Sequence, residues 1–416
     1  MLNAALAVPH RSILGPLLIF VVTLCLVSAY SGLIPYSNSL SEVYKHTFPL
    51  PVNYAVMISV VYLVAYNVSL IPAGLLIDRI GVHWGVFISA IFLSGSLVLF
   101  SISSSLLPFL FSRVLMGIAS SFTFLLAIMV AKLYFHRKYL NMLVGFAELV
   151  FSFSLAVSPF LTMQLSELLG WRQQTMMFAI FLSLLCLLYF MFKLHLCYPT
   201  YLVTKGHSKR SRQHAMVQLK FALSNRWFWY VLLMTGIFNT HFALYVQLYA
   251  PIYVQRLYHV SYVNSISLND VAIMGYMLSC LSFGLVEKFY STKKIFFFAA
   301  LFSLFIYSSN LFFNEYLLDS FLLSCINYFL LGFLSAYALL TFRLYEELSG
   351  HHLNASISAG LNMFTLLPLC FAFIYNWLFY HDPLYERIFI WCAYAVTLLL
   401  VLPVLWQKQK PMFVAV

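Results

Sequence analysis

The sequence predicts an all-α integral membrane protein whose twelve transmembrane helices form two pseudo-symmetric six-helix bundles. Three observations carry that expectation. The 416 residues are 63% hydrophobic, 18% aromatic and only 8% charged, with a mean hydropathy of +0.91, far outside the range of water-soluble chains. Apolar runs of about 20 residues, the length a helix needs to cross the hydrocarbon core, recur from end to end. A long, polar, basic segment interrupts them midway.

The expected spans are 13–35, 52–76, 82–104, 107–133, 139–163, 173–194, 227–254, 267–288, 294–313, 317–342, 353–378 and 385–406. Ser28-Ala29-Tyr30 loosely resembles a leader cleavage site, but the apolar run before it is longer than an ordinary signal core, so it is retained as helix 1. The domains follow: residues 1–194 as an amino-terminal bundle, 195–226 as a basic cytoplasmic linker, and 227–416 as a carboxy-terminal bundle. The linker carries Lys205, Lys209, Arg210, Arg212, Lys220 and Arg226 and no acidic residue.

Charge gives the orientation. Sorting the 23 lysines and arginines by the side their loops would occupy puts eighteen on one side and four on the other, with Arg113 inside a helix. By the positive-inside rule both termini are cytoplasmic. The net charge of +11 is therefore mainly a topology signal, with attraction of the linker to anionic headgroups as a secondary effect and nucleic acid not an expected partner.

The seven cysteines lie in or beside apolar helices without metal-ligand spacing, and His351-His352 and His381-Asp382 read as polar loop edges, so no metal is expected. The chain has no phosphate-binding G-x-x-x-x-G-K-[ST] loop and so no sign of direct ATP drive.

The turn "GLLIDRIGVHWG" supplies the sharpest motif. Gly74 and Gly81 permit close helix approach and a sharp reversal, and Asp78 and Arg79 can hold helix ends at the membrane surface. Gly74, Asp78, Arg79 and Gly81 match the G-x-x-x-D-R-x-G pattern of the major facilitator superfamily, which this chain resembles. Val82 and His83 depart from it, standing where that family usually has basic residues. "RVLMGIASS", with Arg113 and Gly117, is similar to the R-x-x-x-G element of the superfamily's fourth helix, and "GWR" at 170–172 also resembles many members. The resemblance covers the whole chain. Internal echoes agree with a repeat: Glu287-Lys288 follows Asp78-Arg79 by 209 residues, and Arg113 and Glu148 match Asn327 and Asn362 at a shift of 214.

Ionisable groups at membrane depth cost at least about 2.5–3.5 kcal/mol on insertion scales and default to functional candidates. Arg113 and Glu148 both fall inside spans, and Glu148 shares a helical face with Gly145, Ser152, Ala156 and Pro159, which should avoid lipid. One reading is a structural ion pair between helices 4 and 5. The other is a proton-coupling or substrate site, in which changes in an Arg113–Glu148 contact load and release a proton. The resemblance implies that helices 1, 4, 7 and 10 line a central cavity. His241 then joins Glu148 and Arg113 as a coupling or cavity candidate, though a hydrogen-bonded histidine between helices explains it as well. Tyr30, Asn239, Gln247, Asn327 and Asn362 are candidate substrate contacts, with Tyr62, Tyr66, Tyr276 and Tyr337 as further lining.

The resemblance implies a secondary transporter rather than an enzyme, one that moves a small organic solute by alternating access. It needs no cofactor beyond a proton gradient. "SFSLAVSPFL" lacks the G-P-x-x-G-G that antiporters of the superfamily carry near the end of helix 5, which argues against a drug exporter. The helix 4–5 region is similar to bacterial nutrient-uptake members, including the phagosomal nutrient-transporter branch. That implies uptake of an amino acid, nucleoside or organic acid across the bacterial inner membrane, by a monomer. Export, a polytopic membrane enzyme and a transporter-like sensor are the competing expectations.

Overall fold

The computed structural model describes residues 14–39, 54–135, 139–195, 209–240, 262–286, 289–312, 320–350, 353–365 and 383–407. No strand occurs among them. That follows from the solvent: hydrocarbon cannot satisfy backbone amides, so each crossing must bond its own.

The first half contains α1 (Leu14–Ser39), α2 (Tyr54–Ile80), α3 (Val82–Ile102), α4 (Leu106–Ser120), α5 (Thr123–Tyr134), α6 (Leu140–Leu169) and α7 (Trp171–His195). A polar helix, α8 (Lys209–Ser224), precedes the second half: α9 (Arg226–Thr240), α10 (Tyr262–Val286), α11 (Thr292–Phe312), α12 (Phe321–Ser335), α13 (Thr341–Ser349), α14 (Ala355–Thr365) and α15 (Pro383–Leu405). Among the described residues nine stretches are long and apolar enough to cross a membrane. Expected spans 7 and 11 run well into residues outside the described set, and spans 1, 2, 8, 9 and 10 touch it at one end by one to three residues.

Each half packs mainly on itself: α1 lies along α6 and α3 along α7, as α10 lies along α12 and α11 along α15. Glycine sets a close crossing in each half. A Cβ on Gly117 of α4 would run into the backbone of Tyr62 and Tyr66 in α2, and one on Gly332 of α12 into that of Ala272 in α10. Gly117 and Gly332 are 215 residues apart, so the two halves use the same device at matching places.

The fourth and tenth spans, each expected as one helix, are interrupted. Between α4 and α5, Ser121 Oγ donates to the Ile118 carbonyl at 2.7 Å and Thr123 Oγ1 to that of Ser120 at 2.8 Å. Between α12 and α13 the five residues Ala336–Leu340 tighten to a 3₁₀ turn, with Ser335 Oγ on the Leu331 carbonyl and Thr341 Oγ1 on that of Ala338. Hydroxyls that bond backward loosen the local helix. Ser120 and Ser335, which open these breaks, are again 215 apart. That register puts Tyr328, rather than Asn327, at the place matching Arg113.

The face expected to avoid lipid does so. Gly145, Glu148 and Ser152 of α6 are buried and Ala156 and Pro159 half-buried, while Phe146, Phe153 and Phe160 on other faces are exposed. The "GWR" element closes the far end of the first half: Gly170 takes a φ of 79°, and Arg172 Nη1 donates to the Ser101 carbonyl at 3.1 Å while Ser101 Oγ donates back to the Arg172 carbonyl at 2.7 Å.

Candidate functional site

Among the described residues the bonds between the halves cluster in two places, one at the α2–α3 turn and one deep in the bundle. At the first, the last turn of α2 brings Asp78 against the start of α14. Oδ1 accepts the Ala355 amide at 3.1 Å, Oδ2 accepts the Ser356 amide at 3.0 Å, and the Ser356 hydroxyl donates to Oδ2 as well. A carboxylate at a helix N-terminus meets unsatisfied N–H groups and the positive end of the dipole. Gly74, one turn earlier, makes this approach possible: a Cβ there would sit 2.7 Å from the Ala355 carbonyl oxygen and 2.8 Å from Ala359 Cβ. Lys132 at the end of α5 donates to the Leu353 carbonyl, and Leu353 gives its own amide to Glu346 Oε1 at 3.0 Å. Asn354 Oδ1 accepts from the Ile357 amide at 2.8 Å and so caps α14.

The rest of the turn motif stays in the first half. Gly81 reverses the chain with φ 83°, and Arg79 is exposed. His83, which departs from the family pattern, bonds the Tyr189 hydroxyl through Nδ1 and the Tyr134 hydroxyl at 2.9 Å through Nε2. It fastens α3 to α5 and α7.

Deep in the bundle, Tyr276 of α10 donates to Glu148 Oε2 of α6 at 3.3 Å. Glu148 is 7% exposed. Around it lies an aromatic group: Tyr30 stacks on Tyr66 with centroids 4.6 Å apart and planes 8° from parallel, and Phe151 packs on Tyr30 at 5.5 Å. Asn362 of α14 reaches the Tyr66 hydroxyl through Nδ2 at 3.4 Å, a second link between the halves.

Arg113 is held elsewhere. It is fully buried, donates through Nη2 to the Leu33 carbonyl at 3.2 Å, and lies 4.9 Å over the Tyr62 ring. The Tyr62 hydroxyl bonds the Tyr30 carbonyl at 3.1 Å and Ser120 Oγ at 3.0 Å. The expected ion pair between Arg113 and Glu148 is therefore replaced by two separate arrangements: Arg113 braces α1, α2 and α4, and Glu148 faces the other half.

Of the remaining candidates, Asn239 and Asn327 are buried at 6% and 8% exposure. Tyr337 packs edge-on against Phe333. His241 and Gln247 lie outside the described residues, as do Glu287 and Lys288. Sequence reasoning missed Ser356, Lys132 and the pairing of Tyr276 with Glu148. The nearest signal for Ser356 was "HHLNAS", an Asn and a Ser opening an apolar run as helix caps do.

A family model described as Major Facilitator Superfamily matches residues 16–372. The chain belongs to that superfamily, and its fold is the paired helical bundle of these membrane transporters. No curated protein matches it. Membership makes the chain a secondary transporter embedded in a membrane and, at that level, not an enzyme.

Proposed function

We propose that this transporter imports a small organic nutrient, an amino acid, nucleoside or organic acid, together with protons, by alternating access. The working parts are the halves 1–194 and 227–416, joined by the basic linker 195–226, in a monomer with both termini in the bacterial cytoplasm. The observation that carries the reading is the Glu148–Tyr276 bond. A carboxyl at membrane depth is expensive to ionise, and this one is bonded from the half that must move away when access changes. Separation of α6 from α10 removes the phenol from Glu148, so bundle motion and proton occupancy act on the same group. The aromatic and amide side chains of Tyr30, Tyr66 and Asn362 then offer stacking surface and hydrogen bonds to an organic solute next to the coupling carboxyl.

Asp78 serves as the cytoplasmic latch in this cycle. Its bonds to α14 hold that side closed, and inward opening requires all three to break. Arg113 is a brace that sets the tyrosine cluster.

The test is transport in proteoliposomes under an imposed pH gradient, with a panel of labelled metabolites. Glu148→Gln keeps an acceptor for Tyr276 but no titratable proton. The expected result is loss of uphill accumulation with counterflow exchange retained. Undiminished uphill uptake in that variant sinks the coupling role, and product formation or binding without flux sinks the transport reading.

A further inference from the structure

We propose that α8 and the start of α9 form a docking surface for anionic phospholipid headgroups. The inference rests on the proposed cytoplasmic placement of the linker only for which leaflet is met, not for the contact itself.

α8 has 16 residues, about 24 Å at 1.5 Å per residue, and holds Lys209, Arg210, Arg212 and Lys220, so it does not span. Its buried side is small and apolar: Leu219 and Ala222 turn inward, and Leu219 lies near Gly360 of α14. Its other side is not that of a water-facing helix. Met216, Val217 and Phe221 are 53%, 60% and 58% exposed, with Lys220 exposed among them. By helical spacing, positions 209, 212, 216 and 220 fall on one stripe.

Exposed apolar groups beside the exposed Lys220, in a segment that carries five further cations and no acidic residue from 195 to 226, suit an interface of acyl chains below and anionic headgroups above. A soluble acidic partner would complement the charge but leave three large apolar side chains without a reason. The surface is also continuous with the apolar exterior of the bundle. Trp229 and Leu233 of α9 are exposed on the same run, and the Trp229 indole donates to the Leu223 carbonyl at the end of α8 at 2.6 Å. Finally, α8 packs against α2, α9 and α14, so it touches both helices of the Asp78 latch.

The experiment is hydrogen exchange of the full-length chain in nanodiscs of phosphatidylcholine alone or mixed with phosphatidylglycerol. Amides of 209–224 should exchange about tenfold more slowly in the anionic discs, while α1 and α6 exchange alike in both. The variant K209Q/R210Q/R212Q/K220Q should erase that difference, and M216S/V217S/F221S should reduce it. Equal exchange in both discs overturns the proposal, as does a difference that survives the four glutamines. Protection by soluble polyglutamate in neutral discs equal to that by phosphatidylglycerol overturns it in favour of an acidic protein partner. None of these readouts needs flux, so they stand or fall apart from the transport reading.

Discussion

At the α2–α14 crossing the halves meet backbone to backbone: Gly74 lets Ala355 and Ala359 close in, and Asp78 binds two main-chain amides and a hydroxyl. At the α6–α10 crossing the helices pack just as extensively, but the polar link between them joins two side-chain ends, Tyr276 on Glu148 at 3.3 Å. The first contact needs a whole helix end in register, so it is made or lost as a unit. The second can be released by rotation of a phenol. On the proposed reading the first is a latch with few states and the second a sensor that responds to a proton. Their chemistry divides accordingly between a helix terminus and a titratable side chain.

The largest expected effect comes from breaking the latch by volume. Gly74→Val puts atoms where the Ala355 backbone and Ala359 Cβ stand, and overpacking of this kind costs about 1–3 kcal/mol. Amides 355 and 356, bonded to Asp78 when the latch is closed, should then exchange up to about 100-fold faster, because local opening sets their rate. Asp78→Ala removes the cap without a clash. Loss of an N-terminal cap costs about 0.5–2 kcal/mol, so the same amides should exchange several-fold to about 30-fold faster.

Tyr276→Phe sharpens the comparison. Deleting one hydrogen bond changes stability by about 0.5–1.5 kcal/mol. Proton-driven accumulation should fall while the exchange of amides 355 and 356 stays within about twofold of wild type. Equal acceleration at the latch would show the two contacts to be one cooperative unit. The smallest effect belongs to a contact inside one half. Arg343, 44% exposed, pairs with Glu347 at 3.2 Å across one helical turn, and Arg343→Ala should shift thermal stability by no more than about 0.5 kcal/mol and leave transport unchanged.

Much of the latch was legible, because half of it is local. Gly74, Asp78 and Gly81 fall within eight residues, and their spacing alone places a tight turn with a carboxylate on a helix end. What that carboxylate binds was not legible. Ala355 and Ser356 are 277 and 278 residues away, and any helix start would have offered the same amides. Glu148 stood out as a carboxylate in an apolar span, and its lipid-avoiding face followed from helical period. Its natural-looking partner in sequence, Arg113, turned out to be bonded to Leu33. Opposite charge suggested a pair, but α4 turns the guanidinium toward α1 and α2, whereas α6 presents Glu148 to α10. The breaks after Ser120 and Ser335 had a signal in the clustered hydroxyls, which hydropathy averaging conceals.

The sequence by itself determined where helices run through the membrane and which of their faces leave the lipid. Both are decided within a few turns, by a solvent that accepts neither bare amides nor charge. Only the tertiary structure decided which distant groups meet: Asp78 with α14, Glu148 with Tyr276, Arg113 with the Leu33 carbonyl. Those contacts depend on the rotation and tilt of helices packed far apart in the chain, fixed by close approaches such as those at Gly74, Gly117 and Gly332.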